Sequence, residues 1–329
     1  MRKIYRVICG LIWWLVIQSS AWAYDFENAG LRYTITSASK LTVKVESGPR
    51  EGVIIIPATV NYNGHVLTVN EIDGSAFEGA SITSVTIPET IEEIGKYAFA
   101  RCLELKIVRG QVSANIREHA FDKCYQLTSI DIANGCEIIE GAAFAECSRL
   151  KKVFIPASVM RIEANAFYCR VLALNEDSES RKEIVIEDSL TPLSIVGCPF
   201  ELSTRKFDGS YYFGRNLKKN TEWNSKYNTT YRYAQKLEFG DYVTNVLDIA
   251  DAFDHRYLKT VVFGRNIDTI PAFKDAELTR VVVKNPTPPS VEGTFSNYIL
   301  LNADLFVPKE SVEQYKSHPV WKQFNILPL

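Results

Sequence analysis

The amino-acid sequence predicts a mainly β repeat protein wound as a solenoid, and three observations carry the prediction. The dipeptide Ala-Phe returns at Ala76-Phe77, Ala98-Phe99, Ala120-Phe121, Ala143-Phe144 and Ala166-Phe167, every 22 or 23 residues, a period in the range of stacked repeats. Apolar residues hold fixed places ahead of these pairs: Ile82, Val85 and Ile87, then Leu127, Ile130 and Ile132, then Leu150, Val153 and Ile155. A cysteine follows two or three residues after four of the phenylalanines, at Cys102, Cys124, Cys147 and Cys169. The common template is L-x-x-V-x-I-P, then I-x-x-I-G-x-x-A-F-x-x-C.

Each part of the template has a physical reading. The end of L-x-x-V-x-I alternates apolar and variable residues, the period of a strand with one buried face. Pro88 and Pro156 stop that strand, because proline has no N–H for the ladder. The second apolar group, Ile91, Ile94, Ala98 and Phe99, turns the chain back over the core, and the small Gly95 and Ala98 let the coil approach closely. A unit this short cannot bury its own apolar face. Stacked units can, at roughly 4.8 Å per strand.

The chain opens with Arg2, Lys3 and Arg6, a short apolar run from Val7 to Ile17, and Ala21-Trp22-Ala23. This is the pattern of an export signal cleaved between Ala23 and Tyr24; the apolar run is shorter than the roughly 20 residues of a membrane span. Residues 24–51 follow as an N-terminal β cap. Leu31, Tyr33 and Ile35 alternate, as do Leu41, Val43 and Val45, which predicts a hairpin closing the open end of the coil. Residues 52–169 are the regular repeats. Residues 170–235 read as irregular repeats with insertions, because Phe213-Gly214-Arg215-Asn216-Leu217 echoes Phe263-Gly264-Arg265-Asn266-Ile267. Residues 236–284 are weaker repeats with Ala252-Phe253 and Ala272-Phe273. Residues 285–329 are a C-terminal cap, in which Pro308 starts a short helix and Val312, Tyr315, Trp321 and Phe324 supply its apolar side.

The template resembles the BspA-type leucine-rich repeats of bacterial surface proteins, most clearly over 52–169. The resemblance implies a leucine-rich-repeat solenoid with an N-terminal β-hairpin cap and a C-terminal capping segment. It also implies an exported adhesion protein whose partner is a host or cell-surface protein. A repeat scaffold does not by itself fix a ligand.

The seven cysteines have no C-x-x-C pairing and no convergent partners, so no metal site is expected. Cys102, Cys124, Cys147 and Cys169 share one template position and are expected as a ladder of buried free thiols. Disulfides are the alternative that export would allow. The histidines His65, His119, His255 and His318 are scattered. No G-x-S-x-G, phosphate loop, H-E-x-x-H or dinucleotide fingerprint occurs, so the chain is expected to be no enzyme and to need no cofactor. A net charge of −2 argues against nucleic acid as a partner.

The variable strand positions are the first candidate site. They include Ser84 and Thr86, Lys106 and Arg109, Ser129 and Asp131, Lys152 and Phe154, Thr260 and Val262, and Arg280 and Val282. They form either a plain solvated face or a partner-binding one. Arg109, Lys151, Lys152, Phe154 and Arg280 are the expected binding residues, since an aromatic among cations suits an interface. The second candidate is the ring cluster Tyr211, Tyr212, Phe213, Trp223, Tyr227, Tyr231 and Tyr233. It serves either as a platform for a glycan, with Tyr211, Tyr212, Trp223 and Tyr227 as its binding residues, or as packing for the irregular part of the core.

Overall fold

The structure is a computed structural model and describes residues 24–169, 183–195, 209–219, 234–246, 255–273 and 275–329. It is a β-solenoid in which the turns of the coil, or rungs, stack their strands along two sides. On the first side, Glu51–Ile55, Ser81–Thr86, Ile107–Val112 and Ser129–Ile132 pair in parallel. Beside them the strands Lys152–Ile155, Glu183–Ile186, Gly209–Phe213, Ala234–Phe239, Thr260–Phe263, Arg280–Val283, Asp304–Val307 and Asn325–Pro328 form an eight-stranded parallel sheet. The second side is built mostly of two- and three-residue strands, such as Glu93–Ile94, Asn115–Ile116, Ile138–Ile139 and Arg161–Ile162.

The Ala-Phe turns close each rung on the next. The backbone N–H of Phe77 donates to the Ala98 carbonyl at 2.8 Å, that of Phe99 to Ala120 at 2.8 Å, that of Phe121 to Ala143 at 2.7 Å and that of Phe144 to Ala166 at 2.7 Å. The rings follow their backbones. Phe77, Phe99, Phe121, Phe144 and Phe167 form one buried stack, with centroids 5.1 to 5.3 Å apart and planes within 9° of parallel. That spacing is one strand repeat opened slightly by ring offset, the arrangement aromatic pairs prefer. The turn has a conformational cost. Tyr97, His119, Ala142 and Asn165, each two residues before a stacked phenylalanine, have φ between 54° and 59°, the left-handed region that disfavours side chains. Arg101, Lys123 and Glu146, two residues after, have φ near 60°. The rung-to-rung hydrogen bonds and the ring stack hold these residues in place.

Gly95 plays the close-approach role its place in the template suggests. A Cβ there would sit 2.6 Å from the Gly74 nitrogen and 2.7 Å from the Asp73 carbonyl carbon, nearer than side-chain carbons come to backbone. The thiols of Cys102, Cys124 and Cys147 donate to the carbonyls of Phe77, Phe99 and Phe121 at 3.1, 3.2 and 3.2 Å. With Cys136 and Cys169 they are buried and free. Burial pushes the Cys102 thiol up to about 11 and the Cys136 thiol up to about 12.

At the N-terminal end Leu31–Ser37 and Thr42–Ser47 pair antiparallel, and Phe26 stacks on Tyr33 at 5.2 Å and on Tyr62 at 4.2 Å. Leu41 departs from the expected alternation: it sits in the turn with φ 54° and is exposed. A second hairpin, Thr59–Tyr62 with His65–Ile72, lies beside it. At the C-terminal end the chain keeps adding strands, Asp304–Val307 and Asn325–Pro328. Between them the helix Val312–Ser317 and the short turn Trp321–Gln323 close the coil. Trp321 is buried with its indole N–H on the Pro289 carbonyl at 2.9 Å, and the Tyr315 hydroxyl donates to the Asn285 carbonyl at 2.7 Å. Arg215 is fully buried and gives three hydrogen bonds to the carbonyls of Ala157, Pro156 and Val159, at 2.9, 3.1 and 2.7 Å. It ties its own rung to one two strands earlier.

The thiol ladder gives a direct test. Cys102, Cys124, Cys136, Cys147 and Cys169 are expected to escape a thiol-alkylating reagent in native protein. All five should be alkylated in denaturant without reductant, as read by peptide mass spectrometry.

Candidate functional site

The strand register decides which residues share the exposed side of the long-strand face. Inward positions are apolar throughout: Val153 and Ile155, Ile184 and Ile186, Tyr211 and Phe213, Leu237 and Phe239. Outward positions lie between them. Lys152 pairs with Glu183, which pairs with Ser210; Phe154 pairs with Val185, which pairs with Tyr212. Phe154, Val185 and Tyr212 therefore form a continuous outward stripe across three strands. Phe154 is 40% exposed. Beside the stripe the Lys152 ammonium lies 3.2 Å from the Glu183 carboxylate, with both groups open to solvent, a pair that orients more than it stabilises.

The expected binding residues are only partly brought together. Lys151, Lys152 and Phe154 sit on one exposed strand end. Arg109 is exposed on Ile107–Val112, with Ser129–Ile132 between it and Phe154. It occupies a bulge next to Gly110, whose φ is 98° and whose Cβ would stand 2.2 Å from the Ile87 carbonyl oxygen. Arg280 lies five strands beyond Lys152, on the order of 24 Å at strand spacing. Its guanidinium stacks 3.8 Å over the Phe306 ring. It is a separate feature of the same face.

The register also corrects several expected positions. Ile107, not Lys106, takes the outward strand place beside Ser84 and Ser129; Lys106, also exposed, precedes the strand. Val262 and Val282 do point outward but are only 7% and 4% exposed. Lys284 explains part of the cover. Its ammonium reaches Glu238 at 3.2 Å, two strands away, and so its chain crosses the strand of Val262. Phe306, with Arg280 over it, continues the outward row past Val282. The sequence reading passed over Phe306 because it lies in the segment taken as a cap.

Of the glycan platform, Tyr211 is buried at 2% exposure and points into the core beside Phe213, so it cannot present a ring to a ligand. Even strand positions face one way and odd ones the other, and Tyr211 shares its parity with Phe213. Tyr212 faces out, and its hydroxyl donates to Asp188 Oδ1 at 2.7 Å. Trp223, Tyr227, Tyr231 and Tyr233 lie outside the described residues. Among the described residues no three metal-ligating side chains converge, and no helix is long and apolar enough to cross a membrane.

The BspA type Leucine rich repeat region family matches residues 68–189 in six copies, so the chain carries repeats of that family there. A leucine-rich-repeat protein of T. pallidum is similar at 21% identity over 65% of this chain and 85% of its own, with a TM-score of 0.45. A leucine-rich cell surface protein of Faecalibacterium prausnitzii is similar at 18% identity over 92% and 94%, with a TM-score of 0.42. A leucine-rich-repeat protein of Bacteroides ovatus is similar at 17% identity over 93% and 100%, with a TM-score of 0.37. No curated protein matches the chain.

The cover over Val262 rests on the Glu238 carboxylate, which predicts a pH dependence. Burial pushes this carboxyl up, but the hydrogen bonds and charges of Lys236 and Lys284 outweigh it and hold it below its ordinary value of 4.5. A carboxyl depressed on folding adds stability above the unfolded value, and that stability is lost as pH falls through the lower folded value. Glu238→Gln is expected to lower stability at neutral pH. It should also flatten the fall in melting temperature below about pH 4.5, measured by circular dichroism across a pH series.

Proposed function

We propose that this chain, with BspA-type leucine-rich repeats over residues 68–189, is an exported, non-enzymatic scaffold. It binds a protein of the cell surface or host matrix through its long-strand face. The observation that carries the proposal is the outward stripe Phe154–Val185–Tyr212 beside the Lys152–Glu183 pair. An aromatic anchored among charges has the composition of an interface centre. The three strands beneath the stripe are joined by parallel ladders, and Gly209–Phe213 is held on its far side as well, so the face meets a partner already ordered and loses little entropy on binding. The export reading is supported by Arg2, Lys3 and Arg6 ahead of the apolar run, with Ala21-Trp22-Ala23 as the cleavage motif. An adhesive role suits an exported protein with an extended sheet face.

The test compares wild type with a Lys152→Glu, Phe154→Ala double variant on immobilised matrix and cell-surface proteins. Both side chains point out of the core, so the variant should melt within a few degrees of wild type. Binding should fall about thirtyfold or more, the scale of losing one hot-spot residue. Equal binding by both proteins would move the contact off this face.

A further inference from the structure

Three successive strands of the long-strand face end in Phe-Gly: Phe213-Gly214, Phe239-Gly240 and Phe263-Gly264. In regular repeats the same position is Pro88 or Pro156. The glycines fit where a side chain would not. A Cβ on Gly240 would stand 2.5 Å from the Tyr212 hydroxyl and 2.8 Å from Asp188 Oδ1, and one on Gly264 would stand 2.3 Å from the Gly240 carbonyl oxygen. At Gly240 the surface sinks into a cleft of about 340 Å³, lined also by Asp188, Tyr212, Asp241, Tyr242, Asn266 and Lys284.

The lining is held in place by its own hydrogen bonds. Tyr212 donates to Asp188 Oδ1 at 2.7 Å, Asp241 Oδ1 accepts from the Arg265 backbone at 2.9 Å, and the Asn266 amide donates to the Asp241 carbonyl at 2.6 Å. Lys284 spends one donor on Glu238 at 3.2 Å and keeps the others. Asp188 keeps its second carboxylate oxygen and Asn266 its amide oxygen for a ligand. Tyr242 leaves its ring 45% exposed at the rim.

We propose that this cleft binds a neutral oligosaccharide. Adjacent ring hydroxyls donate and accept in pairs, which the Asp188 carboxylate, the Asn266 amide oxygen and the Lys284 ammonium can match. The C–H face of a pyranose can lie on an exposed aromatic ring such as Tyr242. Other ligand classes fit less well. Asp241 faces Arg265 at 3.7 Å and Lys284 faces Glu238 at 3.2 Å, so the lining holds no spare cation to attract an anion. A purely apolar ligand would strand the polar lining without partners. A cationic side chain of a protein would meet the Lys284 ammonium. The site lies at the strand ends, and the variants that test it share no residue with those that test the strand-face stripe.

The full chain is titrated calorimetrically with a panel of neutral gluco-, manno-, galacto- and xylo-oligosaccharides. At least one is expected to bind. Tyr242→Ala and Asp188→Asn should each weaken it about tenfold or more, with folding checked by thermal melts. The Lys152→Glu, Phe154→Ala variant should bind it as wild type does. The proposal is overturned if no member of the panel binds. It is equally overturned if a bound one ignores both cleft variants, or if a Lys- and Arg-rich peptide occupies the cleft and the sugars do not.

Discussion

Everything in this molecule depends on one constraint: a rung of 22 or 23 residues has too little apolar surface to fold alone, and is stable only against its neighbours. The Ala-Phe turn is where that dependence is concentrated. Its phenylalanine is packed face to face with the next rung's, while its backbone N–H reaches the next rung's alanine carbonyl. The alanine before each phenylalanine is buried at the same seam. The thiols of Cys102, Cys124 and Cys147 serve the same seam, each donating to a phenylalanine carbonyl of the preceding rung. The left-handed residues on either side of the phenylalanine are tolerated only because the stack fixes them.

The stack also separates fold from function. Inward positions answer to it and stay apolar; outward positions do not, and vary from serine to lysine to phenylalanine along the same row. The result is a firm sheet face whose chemistry changes from rung to rung. The candidate stripe at Phe154 and the cleft at Gly240 arise from different local departures: an exposed aromatic at a variable position, and glycines at a position that is proline in regular repeats. Both depend on the parallel register that sets Val185 between Phe154 and Tyr212, and Glu238 next to Val262.

Features repeated on every rung were legible in the sequence. The Ala-Phe beat, the L-x-x-V-x-I strand and the alternating hairpin at Leu31 to Val45 each express a local rule that the structure obeys, apart from Leu41 in the turn. What could not be read depends on contacts between distant rungs. Arg215 and Arg265 sit in nearly identical Phe-Gly-Arg-Asn segments. Arg215 is fully buried on three carbonyls, whereas the Arg265 side chain is 72% exposed beside Asp241. No local pattern distinguishes them. Val262 and Val282 look exposed by parity, yet Lys284 and the Arg280–Phe306 pair belong to later rungs. The bulge between Ile107 and Gln111 shifts the register against Ser129–Ile132, at a point where Gly110 passes close to the Ile87 carbonyl, a contact one rung away in the coil.

The measurement that bears most directly on this account is a double-mutant cycle on the phenylalanine stack, read by urea unfolding. Phe99→Leu and Phe121→Leu, adjacent in the stack, should couple by about 0.5–1.5 kcal/mol beyond the sum of their single effects. Phe77→Leu and Phe144→Leu are separated by two intervening rings and should add to within about 0.3–0.5 kcal/mol. Strict additivity of the adjacent pair, or coupling of the distant pair as strong as that of the adjacent one, would contradict a structure held together rung by rung.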